Sequence, residues 1–134
     1  MRLRGAQYIA AAWSALIASS CLVPASTFKV FTYDSLFQLD KILHFTLYFI
    51  FTVLWSIAFK VITARQKYVL LFTGIAFGVL IEMLQTIMSL GRSYELGDII
   101  ANTTGCVLGV LSMSYIKHKL PLIKKYLPFM SKLY

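Results

Sequence analysis

Four apolar blocks constrain what this chain can fold into. Ala6 to Val23 carries no formal charge, and Ile42 to Phe59 carries none apart from His44. Tyr68 to Leu90 carries Glu82 alone, and Ile99 to Ile116 carries none. Each block is close to the ~20 residues that cross ~30 Å of hydrocarbon as a helix. The expected fold is therefore an all-α membrane protein with four transmembrane helices. Charged residues make up only 13% of the sequence, against about a quarter in a soluble domain. At 134 residues, with short connections apart from Pro24 to Asp40, the chain reads as one membrane domain, 1–134.

The basic residues give an orientation. With the N-terminus inside, ten of the thirteen lysines and arginines lie on the inner side, leaving Lys29, Lys41 and Arg92 outside. The positive-inside rule then places both termini in the cytoplasm. All five acids (Asp34, Asp40, Glu82, Glu95 and Asp98) fall toward the outer side. The net charge of +8 does not imply nucleic acid, because it sits in short juxtamembrane segments and no nucleic-acid motif accompanies it. Residues 117–134, KHKLPLIKKYLPFMSKLY, are expected to form a basic amphipathic tail along the cytoplasmic surface. Pro121 and Pro128 argue against one long helix there. The N-terminal MRLRGAQYIAAAWSALIASSC has signal-peptide character, but a retained first helix is the expectation. Cys21 and Cys106 form no CxxC and have no histidine partner, so no metal or redox motif is read and no cofactor is implied.

The polar residues inside the blocks carry the functional signal. Lys41, His44 and Tyr48 share one helix face, with Asp40 at its edge. Gly74, Gly78, Glu82 and Gln85 fall within an arc of about 80°. Asp98, Asn102, Gly105 and Gly109 form a third stripe. Glu82 lies about 13 Å below the loop that begins at Gly91. A lone carboxylate at depth costs at least ~2.5–3.5 kcal/mol, so it must be neutral, paired or facing water. Lys41, His44, Gln85, Arg92 and Asn102 are the candidate partners. Each also has a plainer reading. Glu82 could be a neutral packing acid, His44 an interfacial residue, and Lys41 and Arg92 headgroup contacts. Asp98 suits the N-cap of the last helix, and Asn102 suits helix–helix adhesion. The convergence of three stripes favours a pocket near the outer surface.

Three blocks then resemble the VanZ-like family: DKILHF at Asp40, Lys41, His44 and Phe45; E-x-x-Q at Glu82 and Gln85; and RSYELGDIIANTTG at Arg92, Asp98, Asn102 and Gly105. The resemblance covers about residues 40–109. It implies a small multi-pass protein of the bacterial cytoplasmic membrane, in a family whose namesake is linked to teicoplanin resistance, and it supplies no reaction. Three function classes follow. The first recognises an anionic lipid headgroup or a lipid-linked wall precursor at the outer leaflet, through Asp40, Lys41, His44, Glu82, Gln85, Arg92, Asp98 and Asn102. The second is a membrane-embedded hydrolase or transferase with His44, Glu82 and Asp98 as catalytic candidates. The third is a small proton-coupled exporter subunit. Membrane lipids are the expected partners, and the sequence leaves both catalysis and oligomerisation open.

Overall fold

The computed structural model describes residues 5–22, 33–61, 63–88 and 95–126, with the backbone alone at 33–38, 117 and 120–126. These residues form α1 (Gly5–Cys21), α2 (Tyr33–Ala58), α3 (Ala64–Ile87) and α4 (Leu96–Tyr126). No strand occurs among them. Three segments are long and apolar enough to cross a membrane: Leu39–Ala58, Ala64–Ile87 and Leu96–Ile116. The fourth apolar block, α1, is a helix of 17 residues.

Two helix ends differ from the sequence reading. α2 begins at Tyr33, about two turns before Asp40. Hydropathy reports where lipid begins, and Asp40 and Lys41 end the apolar block without ending the helix. α4 continues through Pro121 to Tyr126, where the prolines had argued for a break. Proline lacks the N–H that would bond to the carbonyl four residues earlier. Pro121 lies in the last turns, beyond the apolar part of the helix, so that one lost bond does not end it. Residues 127–134 of the expected tail lie outside the described residues.

The distribution of side chains is inverted relative to a soluble bundle. Ile100, Leu111, Phe72 and Tyr68 are each more than 60% exposed, whereas His44, Thr52, Ser56, Glu82, Gln85, Asp98 and Asn102 are buried. A continuous apolar exterior around a polar interior suits lipid as the surrounding solvent.

The α2–α3 link closes on itself. Lys60 and Val61 donate to the carbonyls of Ile57 and Ser56, at 3.2 and 3.0 Å. This pattern ends α2 in a Schellman motif with Lys60 in the left-handed region, φ 51°. Thr63 then opens α3 with a capping box. Its hydroxyl accepts from the Gln66 N–H, and the Gln66 side chain accepts from the Thr63 N–H. Two indoles tie α1 to α2: Trp13 donates to the Leu47 carbonyl and Trp55 to the Ser14 hydroxyl, both at 3.0 Å.

Small residues set how closely the helices approach. Gly105 lies directly over the α2 backbone at Phe45 and Phe49, and Gly109 lies over Thr52. The glycines of α3 face different neighbours, Gly74 meeting Cys106 and Gly78 meeting Asn102 and Tyr48. The glycine stripe of α4 therefore rests on α2, while that of α3 receives α4 side chains. In the interior, the rings of Tyr48, Phe51 and Phe77 lie 5.4–6.0 Å apart, centroid to centroid.

Candidate functional site

The site is built where the N-terminal part of α2, the C-terminal part of α3 and the first turns of α4 meet. Lys41 stands at its edge. Its ammonium donates to Glu95 at 3.0 Å and to Asp98 at 3.1 Å. The lysine stem crosses Gly97, where any Cβ would collide with it. Asp98 is not the N-cap that the spacing predicts. α4 begins at Leu96, so Asp98 is a first-turn residue whose own N–H bonds to the Glu95 carbonyl. An acid in the first turn still meets the positive end of the helix dipole. Its side chain, however, is turned to the ammonium.

One layer inward lies His44, 2% exposed. Its Nδ1 is 3.1 Å from the Asn102 Oδ1. An amide oxygen can only accept, so this contact places a proton on Nδ1 and turns Nε2 toward Asp40, whose Oδ1 is 3.8 Å away. Glu82 approaches from the other side, its Oε1 3.9 Å from Nδ1. Glu82 and Asn102 are each 1% exposed. Asn102 Nδ2 and the Tyr48 hydroxyl have no hydrogen-bond partner among the described residues. Buried donors without partners are uncommon in folded proteins. Tyr48 lies one turn below His44 and joins the site to the aromatic layer beneath it.

Of the residues singled out from sequence, Asp40, Lys41, His44, Glu82, Asp98 and Asn102 come together here. Gln85 is buried beside them but is directed elsewhere: its amide donates to the Cys21 carbonyl in the last turn of α1. Arg92 lies outside the described residues. Glu95 was missed as a site residue. It lies just before α4, in a polar stretch where a carboxylate is unremarkable. Gly97, which makes room for Lys41, was missed as well.

Among the described residues the site holds four carboxylates, one ammonium and one imidazole. Asp40, His44 and Asp98 each offer a ligand atom, and these atoms lie within 4.8 Å of one another. The VanZ/LLP1 family model matches residues 5–117. The match extends beyond residues 40–109 to include α1, in which the sequence motifs show no family signature. No curated protein and no solved structure matches the chain.

Proposed function

Because the chain belongs to the VanZ/LLP1 family, we propose that it is a four-span bacterial cytoplasmic-membrane protein that recognises phosphate at the outer leaflet. The phosphate is that of an anionic lipid headgroup or of a lipid-linked envelope component, and through it the protein influences glycopeptide susceptibility. The observation that supports this is the cluster of polar side chains in which half-buried Lys41 meets Asp98 and buried His44 meets Asn102 and Glu82, placed at one end of a bundle with an apolar exterior. Intramembrane ionisable residues are costly, and function is the usual reason for keeping them. Both termini are then cytoplasmic, as the basic residues argue. Lys41 is already held between two carboxylates, so this reading assigns the phosphate to Arg92. Its planar fork suits an oxyanion.

The test uses purified protein in phosphatidylcholine nanodiscs, offered undecaprenyl phosphate, phosphatidylglycerol or uncharged diacylglycerol, with retained lipid read by native mass spectrometry. At least tenfold preference for a phosphate-bearing lipid, lowered by Arg92→Ala, is expected. The two phosphate lipids distinguish a wall-precursor carrier from a general headgroup. Equal retention of diacylglycerol, or an unaffected Arg92→Ala protein, overturns the reading.

A second reading draws on one contact set. His44 has Asp40 beside one ring nitrogen and Glu82 beside the other, an arrangement that can pass a proton in a hydrolase or transferase. Release of phosphate or headgroup in the same nanodiscs would favour it. An exporter has less support, because the buried His44, Glu82 and Asp98 are confined to one end of the bundle.

A further inference from the structure

We propose that Asp40, His44 and Asp98 form a binding site for a divalent metal ion of the zinc or manganese class. Two of these residues come from one face of α2, four apart, and the third from the first turn of α4. Their ligand atoms already lie within 4.8 Å of one another.

The histidine is prepared for the role. Asn102 Oδ1 accepts a hydrogen bond from Nδ1–H at 3.1 Å, which leaves the Nε2 lone pair on the side of Asp40. A ligating histidine characteristically gives its other ring N–H to an oxygen in this way. A mixed imidazole and carboxylate set suits zinc or manganese better than magnesium or calcium, which prefer oxygen alone. Three ligands leave room for water or a further oxygen ligand, as in open zinc sites.

Two features set the terms of binding. Ligand bonds of about 2.1 Å in a tetrahedron place donor atoms about 3.4 Å apart, so the cluster must contract by roughly 1 Å. Asp40 can supply that movement, since its side chain is one-third exposed. Lys41 is the opposing charge. It occupies Oδ1 of Asp98, and the second carboxylate oxygen remains for the metal. Among the described residues, the other charged groups beside the cluster are Glu82 and Glu95, both acidic, and they favour a cation.

The proposal rests on the phosphate reading only for its consequence: a bound dication would present positive charge to a phosphate from an otherwise acidic site. The metal site is tested without any lipid ligand. Purified full-length protein in phosphatidylcholine nanodiscs is stripped with EDTA and dialysed against Zn²⁺ or Mn²⁺, and bound metal is measured by mass spectrometry. One metal per chain is expected. Asp40→Asn and His44→Gln should each weaken binding at least tenfold, and Lys67→Gln, in the first turn of α3 at the opposite end of the bundle, should change it less than threefold. Asp40 is exposed enough for its variant to fold, and thermal unfolding checks this. Metal should also raise the melting temperature of the wild type but not of Asp40→Asn. Absence of stoichiometric metal overturns the proposal, as does binding that survives both ligand substitutions. Arg92-dependent lipid retention in a protein that holds no metal would leave the phosphate reading standing alone.

Discussion

Adding one methyl group at Gly105 should damage this protein more than adding one at any glycine of α3. A Cβ at Gly105 would meet the Phe45 carbonyl oxygen far inside van der Waals contact and the Phe49 nitrogen at 3.0 Å. Both are backbone atoms of a continuous helix, so no rotamer relieves the clash. α4 must move away from α2 by about 1 Å. A gap of that size forfeits a quarter to a half of the attraction of each contact along the seam. It would also stretch the 3.1 Å bond from His44 to Asn102 past hydrogen-bonding distance. Overpacking of this kind costs about 1–3 kcal/mol, and a broken buried hydrogen bond about 1–3 kcal/mol more. The expected destabilisation for Gly105→Ala is therefore roughly 2–6 kcal/mol on these terms. Gly74→Ala makes the informative comparison. Its Cβ would approach Cys106 Sγ at 2.8 Å, but a thiol can rotate, and the cost should stay below about 1.5 kcal/mol. Reversible unfolding in mixed micelles, titrated with a denaturing detergent, measures both. Equal stabilities for the two variants, or a Gly105→Ala protein as stable as wild type, would refute the reasoning that backbone contact sets the α2–α4 distance.

Three further outcomes can be checked separately. Lys41→Met leaves Glu95 and Asp98 facing each other without their ammonium; with the lysine a quarter exposed the loss should be about 1–3 kcal/mol, measured by the same unfolding assay, and adding Asp98→Asn should recover part of it. Lys60→Gly should stabilise the α2–α3 turn by about 1 kcal/mol, because glycine occupies the left-handed region without steric cost; a lower melting temperature would contradict the turn geometry. Ser93→Cys, in a protein whose own cysteines are replaced, should react with an impermeant maleimide on intact cells; reaction only after permeabilisation would invert the proposed orientation.

The polar centre was legible in the sequence because hydrophobic surroundings make its residues conspicuous. Glu82 stands in an apolar run, and helical spacing alone aligned it with Gly78 and Gln85. His44 and Asn102 were found by the same logic. Glu95 lies in a polar loop, where a carboxylate costs nothing, so nothing marked it until the structure put Lys41 beside it. Asp98 was read as a cap because caps are common for aspartate before an apolar run. The helix begins two residues earlier, and hydropathy does not register that difference. The glycines of α4 were correctly seen as contact residues, but a stripe does not name the helix it rests on. Only the assembled bundle shows that it is α2. Gln85 shared the stripe of Glu82 and still turned to α1, where its amide reaches the Cys21 carbonyl in the last turn of that helix; a stripe does not reveal such a partner.

The closed α2–α3 link bears on how such a chain is made. Its turn satisfies its own backbone groups through the Schellman bonds at Lys60 and Val61 and the capping box at Thr63, so it needs nothing from α1 or α4 to hold its shape. The same two helices already carry His44 and Glu82 on facing sides, 3.9 Å apart. A nascent hairpin of this kind can leave the translocon as a unit, with its deep acid screened from lipid by an imidazole before α4 has been synthesised. Asn102 then arrives last, on the glycine face of α4, and locks into place a pair that the hairpin brought in with it.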